Sequence, residues 1–302
     1  MSYYLNLNGL NASAEASQRG ERLLVLTPIQ HDGVEYLERY FELLERTTYP
    51  NDLISVGLLV TDGQDTMDAV QRVVDAVEAR QHRWYDSAGP AFHEIIVYDR
   101  HFTFEIPIRK QDAYEEQPYR RSMMARARNF LLSSALRDYH SWVAWVDVDL
   151  VEYPATIFDD LMRADVDVIV PNCLMARADN QYWAYDKNNW QETDYSLEKQ
   201  KWIDPDFILM EGFDNIATGR TLLVDMPTHL GDEHKVPLDG VGATFTLVKS
   251  HVHREGANFP AFGYQHEIDS EAFGKVARSM GFSVYGIPSY RIYHAEKDTI
   301  AL

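Results

Sequence analysis

Midway along the chain, Trp142-Val143-Ala144-Trp145-Val146 is an unbroken apolar run that meets two carboxylates one residue apart, Asp147-Val148-Asp149. A short run of aromatic and β-branched side chains with no polar alternate is what a central strand covered on both faces requires. Pro154 then ends the extended segment. Carboxylates placed there lie outside the carboxyl end of a strand, where open α/β sheets bind ligands. Their oxygens are hard donors suited to Mn²⁺ or Mg²⁺, ions that share their coordination with substrate phosphates.

Bulk composition agrees with that reading. The chain has 302 residues, 45% of them hydrophobic, and 28 basic against 47 acidic side chains give a formal charge of −19. A chain this acidic, without a basic stripe, repels polyanions, so nucleic acid is not an expected partner. Binding an anionic nucleotide then needs local positive charge, which a divalent ion on Asp147 and Asp149 supplies. No stretch approaches the roughly 18 consecutive apolar residues of a membrane span, and no secretory signal opens the sequence. The lone Cys173 excludes an intrachain disulfide. Asn11-Ala12-Ser13 is a glycosylation sequon of a kind common by chance.

Strand and helix patterns alternate along most of the chain. Residues 1–20 are polar and aperiodic and read as an N-terminal arm, and 21–302 read as one α/β domain. Strands are expected at Arg22–Thr27, Leu53–Val60, Phe92–Tyr98, Trp142–Val146, Asp167–Val170, Ala243–Val248 and in the apolar segment from Val284. Helices are expected at Gly33–Thr47, Thr66–Tyr85 and Pro118–Arg137. The last would turn Met123, Ala127, Phe130, Leu131 and Ser134 inward, with Arg120, Arg121, Arg126 and Arg128 elsewhere. This alternation predicts a mostly parallel sheet with right-handed crossovers. Phe102–Gln117 reads as an irregular excursion and a candidate lid, and Asn172–Trp202 has too little periodicity for core.

Several constellations carry chemistry, each beside a plainer reading. An Asp-x-Asp phosphotransferase, with Asp147 as nucleophile, would carry its motif near the N-terminus rather than halfway along. His294 closes an apolar strand, where a histidine is commonly a surface residue; neutral imidazole also suits Mn²⁺ as a further ligand to an Asp-x-Asp metal. His251 and His253 would share one face of a continued strand as a metal pair, although a polar loop ending in Gly256 is favoured. Asp239, set among Gly240 and Gly242, belongs either to a turn that approaches a ligand or to a simple hairpin. Tyr185-Asp186-Lys187-Asn188-Asn189-Trp190 mixes acid, amides and aromatics as carbohydrate sites do, and a surface loop explains it equally. Arg126 and Arg128 are candidates to neutralise a diphosphate, or lie on a solvated helix face. Asp62 ends the second strand where a nucleoside is reached, and its turn with Gly63 needs no such role.

Taken in order, Leu26-Thr27-Pro28, Trp145-Val146-Asp147-Val148-Asp149, Val168-Ile169-Val170-Pro171-Asn172, Tyr185-Asp186-Lys187-Asn188-Asn189-Trp190, Ala217-Thr218-Gly219-Arg220-Thr221, Leu238-Asp239-Gly240-Val241-Gly242, Val252-His253-Arg254-Glu255-Gly256 and Tyr290-Arg291-Ile292-Tyr293-His294 resemble the fungal mannan-polymerase α-mannosyltransferases, glycosyltransferase family 62. The resemblance runs from about Glu21 to His294. It implies a single GT-A domain, GDP-mannose as donor, Mn²⁺ as cofactor, and retaining α-1,6 transfer to an α-mannoside in N-glycan outer-chain elongation. It further implies residence in the Golgi lumen and assembly with related mannosyltransferases. By position, Asp147 and Asp149 match the family's metal motif, His294 its C-terminal metal ligand, and Asp186 an acid near the transferred sugar. A covalent route through Asp186 or Asp239 is the rival to front-face attack. A non-catalytic or partner-dependent subunit, and a GT-A transferase for another nucleotide sugar, are the alternative readings.

Overall fold

The computed structural model describes residues 2, 4–6, 11–82, 90–102, 114–176, 182–212 and 217–296. Its first half is a run of βα units. Strand β1 (Arg22–Ile29) leads through a 3₁₀ turn at His31–Tyr36 into α1 (Leu37–Glu45). Strand β2 (Ile54–Val60) is followed by α2 (Gln64–Gln81) and β3 (Glu94–Asp99). Then α3 (Gln117–Ala135) feeds β4 (His140–Val146). Beyond the two carboxylates come β5 (Leu150–Glu152), α4 (Ile157–Arg163), β6 (Val168–Ala176), β7 (Tyr182–Ala184), β8 (Trp190–Gln191), α5 (Asp194–Gln200), β9 (Thr221–Leu222) and β10 (Val236–Pro237). The chain closes with β11 (Phe245–Lys249), α6 (Ser250–Arg254), α7 (Asp269–Ser279) and β12 (Val284–His294).

The main sheet has the order β10-β12-β6-β11-β4-β1-β2-β3, with β5 added to β12 and β7 to β6. Strands β4, β1, β2 and β3 are mutually parallel, and β6 is parallel to β12. Between these blocks β11 runs antiparallel to both β4 and β6. Along β4, Trp142, Ala144 and Val146 face one core, and Val143 and Trp145 face the other. This is the period-two alternation of a strand buried on both sides. Residues from α1, α2 and α4 fill the first core, and residues from α3, α6 and α7 fill the second. The expected α/β architecture with a mostly parallel sheet is present.

Several local expectations shift. The helix expected at Gly33–Thr47 begins as a 3₁₀ turn, and the helix expected to reach Tyr85 stops at Gln81. The strand expected at Asp167–Val170 extends to Ala176, because β7 and β12 both pair with its far end. Most of the candidate lid, residues 103–113, lies outside the described residues. In α3 the buried positions are Gln117, Ala125, Ala127, Arg128, Leu131, Leu132 and Ala135, while Phe130 is exposed. The Asn172–Trp202 stretch does contribute to the core, since Trp190 is fully buried. His251 and His253 lie on α6 rather than on a strand. There His253 accepts from Trp145 Nε1 (3.1 Å) while His251 sits beside Asp167, so they do not form a metal pair. In residues 11–20, Ala16 is buried and Ser17 donates to Asp159 (2.6 Å), tying that segment to α4. No helix among the described residues is long and apolar enough to cross a membrane.

Candidate active site

Asp147 leaves the end of β4, and its N–H donates to Thr244 O (2.9 Å), just ahead of β11. Two residues on, Asp149 O accepts from Ala295 N–H (2.9 Å), which brings the end of β12 against the same turn. The register of β12 is set by a break at Pro288, whose carbonyl is taken up by Asn172 Nδ2 (2.8 Å). A proline cannot donate to a sheet ladder, and the bulge shifts the strand so that His294 ends beside Asp149.

His294 is fully buried, with Nε2 2.7 Å from Asp149 Oδ1 and Nδ1 2.8 Å from the Ala295 carbonyl. A carbonyl only accepts, so Nδ1 carries a proton and donates to it, which leaves Nε2 directed at the Asp149 carboxylate. That contact is out of hydrogen-bond alignment, and Nε2 has no other hydrogen-bond partner among the described residues. Tyr185 holds the ring in place, stacked at 3.6 Å and 15°. Burial and the neighbouring Asp149 push the Asp147 carboxyl up to about 7, against the opposing pull of Arg128 and His294. Two carboxyl groups and an imidazole nitrogen crowded together fit a divalent cation. An Nδ1–H anchored on a backbone carbonyl is also the usual support for a metal-ligating histidine. No three His, Cys, Asp or Glu side chains converge as a ligand set among the described residues. The protein therefore offers Asp149 and His294, with Asp147 alongside, and leaves the remaining positions to substrate oxygens and water.

The cleft bordered by Asp147 has two lobes. The first, about 230 Å³, lies beyond the ends of β1 and β2 and is walled by Pro28, Gln30, Thr61, Phe102, Met123 and Ala127. The second, about 330 Å³, is lined by Gln117, Arg121, Tyr185, Asp186, Asn188, Thr244, Asp269 and Ser270 among others. Arg120, Met124, Arg128 and Asp147 border both lobes.

Asp186 stands in the second lobe, 9% exposed, and its Oδ1 accepts from Asn188 N–H (3.2 Å). Burial raises its carboxyl above the usual carboxylate range, while hydrogen bonds from Asn188 and Thr244 oppose that shift. Gly242 makes room for it, since a β-carbon there would clash with the Asp186 carboxylate. Gly242 N–H donates to Asn189 Oδ1 (2.8 Å), fixing the approach. Asp239, the other acid weighed as catalytic, lines neither lobe. It accepts from Glu192 N–H (2.8 Å) and pairs with Arg278 (2.9 Å). Asp62 is also outside the lobes' linings and accepts His31 N–H (2.6 Å), closing two loops over β1 and β2. Arg126 points to solvent over the Phe102 ring at 5.7 Å. Arg128 is buried, ion-paired with Asp269, and borders both lobes.

Sequence reasoning missed Asp269, Glu271 and the placement of Arg120 and Arg121. Glu271 is fully buried, pairs with Arg121 and accepts from Trp190 Nε1 (2.8 Å). Trp190 in turn lies over Arg220, 3.6 Å from ring to guanidinium. Arg220 pairs with buried Glu267, and burial lifts the Glu267 carboxyl to about 8 against that pairing. The aromatics of the 185–190 segment are thus engaged by the protein itself.

The sheet order and the two-lobed cleft define the class as a GT-A glycosyltransferase fold. The same architecture is found in GalNAc-T7, solved with UDP, GalNAc and Mn²⁺, at TM-score 0.50 and 10% identity over 92% of this chain and 44% of that one. Residues 1–263 match the Anp1 family profile, and the chain belongs to that family. It is 36% identical to the mannan polymerase II complex anp1 subunit of Schizosaccharomyces pombe, over 91% of this chain and 64% of that protein. It is 35% identical to the mannan polymerase complex subunit mnn9 of the same yeast, over 96% of this chain and 84% of that protein. The chain thus spans a little under two thirds of the first relative's length. The kinship with mannan-polymerase proteins expected from the motifs is borne out.

Proposed function

We propose that the chain is a metal-dependent mannosyltransferase that moves mannose from GDP-mannose to an α-mannoside, as part of a mannan polymerase assembly. The observation that carries this reading is His294 Nε2 held 2.7 Å from Asp149 Oδ1, two residues beyond Asp147, which borders both lobes of the cleft. The names of the relatives supply the sugar and the assembly. Asp149 and His294, with Asp147, would hold Mn²⁺, which when bound supplies charge to a leaving diphosphate. The nucleoside fits the first lobe, where Pro28 and Phe102 offer apolar contact beside the polar Gln30 and Thr61. Arg120 borders both lobes, where the diphosphate must lie, and is a better candidate to share its charge than solvent-facing Arg126. The sugar then occupies the second lobe against Asp186. In a retaining transfer the acceptor hydroxyl attacks on the leaving-group face and gives its proton to the departing phosphate oxygen. Asp186 orients the sugar, and a covalent route through it is the rival; Asp239, engaged by Arg278, has no part in either. Retention, an α-1,6 product and residence in the Golgi lumen belong to the same proposal.

The test is transfer from GDP-mannose to a short α-mannoside by the purified chain, with Mn²⁺ and with chelator, followed by linkage analysis of the product. Asp186→Asn should lower kcat by about 10²-fold, the cost of misplacing a reacting group, with GDP affinity held within about twofold. Transfer that persists in chelator would falsify the metal assignment. The relatives are named as complex subunits, which favours a second reading in which turnover needs a partner chain. Mn²⁺-dependent GDP binding without transfer, restored on adding a related subunit, would select it.

A further inference from the structure

The backbone between Gln265 and Asp269 is unusual. Gln265, His266 and Asp269 all take left-handed φ values, 50°, 69° and 59°. Asn and Asp tolerate that region better than most side chains, but three such residues in five positions mark a segment held by its surroundings. Its restraints are visible: Leu209 N–H donates to His266 O (2.7 Å), Lys275 Nζ to Gln265 O (2.8 Å), and Asp269 N–H to Pro260 O (2.9 Å). The outcome is a carboxylate at the start of α7 that is 4% exposed, lines the second lobe and is gripped on one oxygen by Arg128. Its other oxygen, Oδ1, is buried and has no hydrogen-bond partner among the described residues. A buried carboxylate oxygen is costly to leave unmatched. Here the neighbouring guanidinium fixes the charge and the strained backbone fixes the direction.

We infer that Asp269 Oδ1 accepts a hydrogen bond from a hexopyranoside hydroxyl, making Asp269 a specificity-determining residue of the second lobe. The inference rests on the reading of the cleft as a nucleotide-sugar site. It adds a second acid to Asp186, in a different role. Asp186 takes hydrogen bonds from Asn188 and Thr244 and stands beside Gly242, whereas Asp269 is locked to Arg128 with its second oxygen buried and unpaired among the described residues. A site built to accept from a hydroxyl discriminates strongly against a sugar that lacks it, because the acceptor is then left unpaired. The hydroxyl belongs either to the donor hexose or to the acceptor mannoside.

Asp269→Asn is the suitable variant, since asparagine also tolerates a left-handed φ. Calorimetric titration of the full chain in Mn²⁺ with GDP, GDP-mannose and an α-mannoside disaccharide separates the possibilities. The expected result is GDP affinity within about twofold of the unaltered chain and a loss of about tenfold or more for one sugar ligand, the size of a charged hydrogen bond. Loss with GDP-mannose assigns the hydroxyl to the donor, and loss with the disaccharide assigns it to the acceptor. Equal weakening of GDP and GDP-mannose, or no change in either sugar ligand, overturns the inference. If the variant does not fold, deoxy analogues of both sugars are titrated into the unaltered chain. One position must then cost about tenfold, and a flat series overturns the inference. Failure of the unaltered chain to bind GDP would overturn the parent reading as well, whereas intact GDP binding with indifferent Asp269 removes this step alone.

Discussion

The two lobes of the cleft share a border at Asp147 and Arg128 but are built from different material. The first is walled by Pro28, Phe102, Met123 and Ala127, with only Gln30 and Thr61 for polarity away from the shared border. The second is lined by Arg121, Asp186, Asn188, Thr244 and Asp269, most of them with an assigned hydrogen bond or ion pair. An apolar wall containing methionine accommodates a flat ring by contact and tolerates small changes of shape. An interlinked polar lining does not, since removing one member leaves its partner buried and unmatched. Nucleotide binding and sugar handling should therefore separate under mutation, except at the border.

The largest effect is expected there. Asp149→Ala removes one of the two positions offered to a cation, and both lobes should fail together. Transfer should fall by at least about 100-fold, beyond the loss typical of a metal site's supporting residues, and GDP titrations should lose their Mn²⁺ dependence. Retained Mn²⁺-dependent GDP binding would break the idea of a shared border. Next comes Gly242→Ala, which pushes against the Asp186 carboxylate. Overpacking there should cost about 1–3 kcal/mol in denaturant unfolding. Transfer should drop toward the level of Asp186→Asn while GDP affinity stays near normal. Equal loss of both functions would show the lobes are not independent.

A third measurement concerns the frame behind the border, where His253 accepts from Trp145 on the strand that ends at Asp147. Burial lowers the His253 pKa from 6.5 to about 4. As pH falls from about 6.5 to about 4, the unfolded chain takes up a proton that the folded chain refuses. Stability should fall over that window by an amount on the order of 3 kcal/mol and level off below it. Melting curves at pH 7 and 4.5 for the chain and for His253→Gln check this, the variant showing the shallower dependence. The smallest effect is expected outside both lobes. Asp239→Asn weakens a partly exposed ion pair, costs at most about 1 kcal/mol, and should leave transfer within about twofold.

The sequence made the frame of the site legible and left its rim obscure. The Trp142–Val146 run reads as a doubly covered strand, so its pattern alone puts Asp147 and Asp149 just past the strand's carboxyl end. His294 was reachable from the apolar β12 pattern that it ends. For the arginines of α3 the sequence leaves a diphosphate contact and a solvated face both open, and cannot separate Arg126 from Arg128. Arg128 is buried against Asp269, far along the chain, which pairs with it. Phe130 was turned inward on apolarity, whereas α3 packs through Ala125, Ala127 and Ala135, small side chains that let it lie close to β1 and β2. Asp269 gave no signal, because a left-handed backbone at a non-glycine residue comes from tertiary restraint and leaves no local pattern. His251 and His253 fell on a five-residue helix too short to show periodicity.

The pairing of Asp149 with His294 has a consequence for how this protein is made. The two residues lie on β5's approach and β12's last position, nearly half the chain apart, and β11 must also be in place before β4 has both neighbours. At synthesis rates of about 5–20 residues per second, Asp149 is added roughly 7–29 s before its imidazole partner. Until then the β1–β4 block can form, but it presents an unfinished edge and a bare pair of carboxylates. A chain cut before β12 would lack His294 and leave β6 without its parallel neighbour.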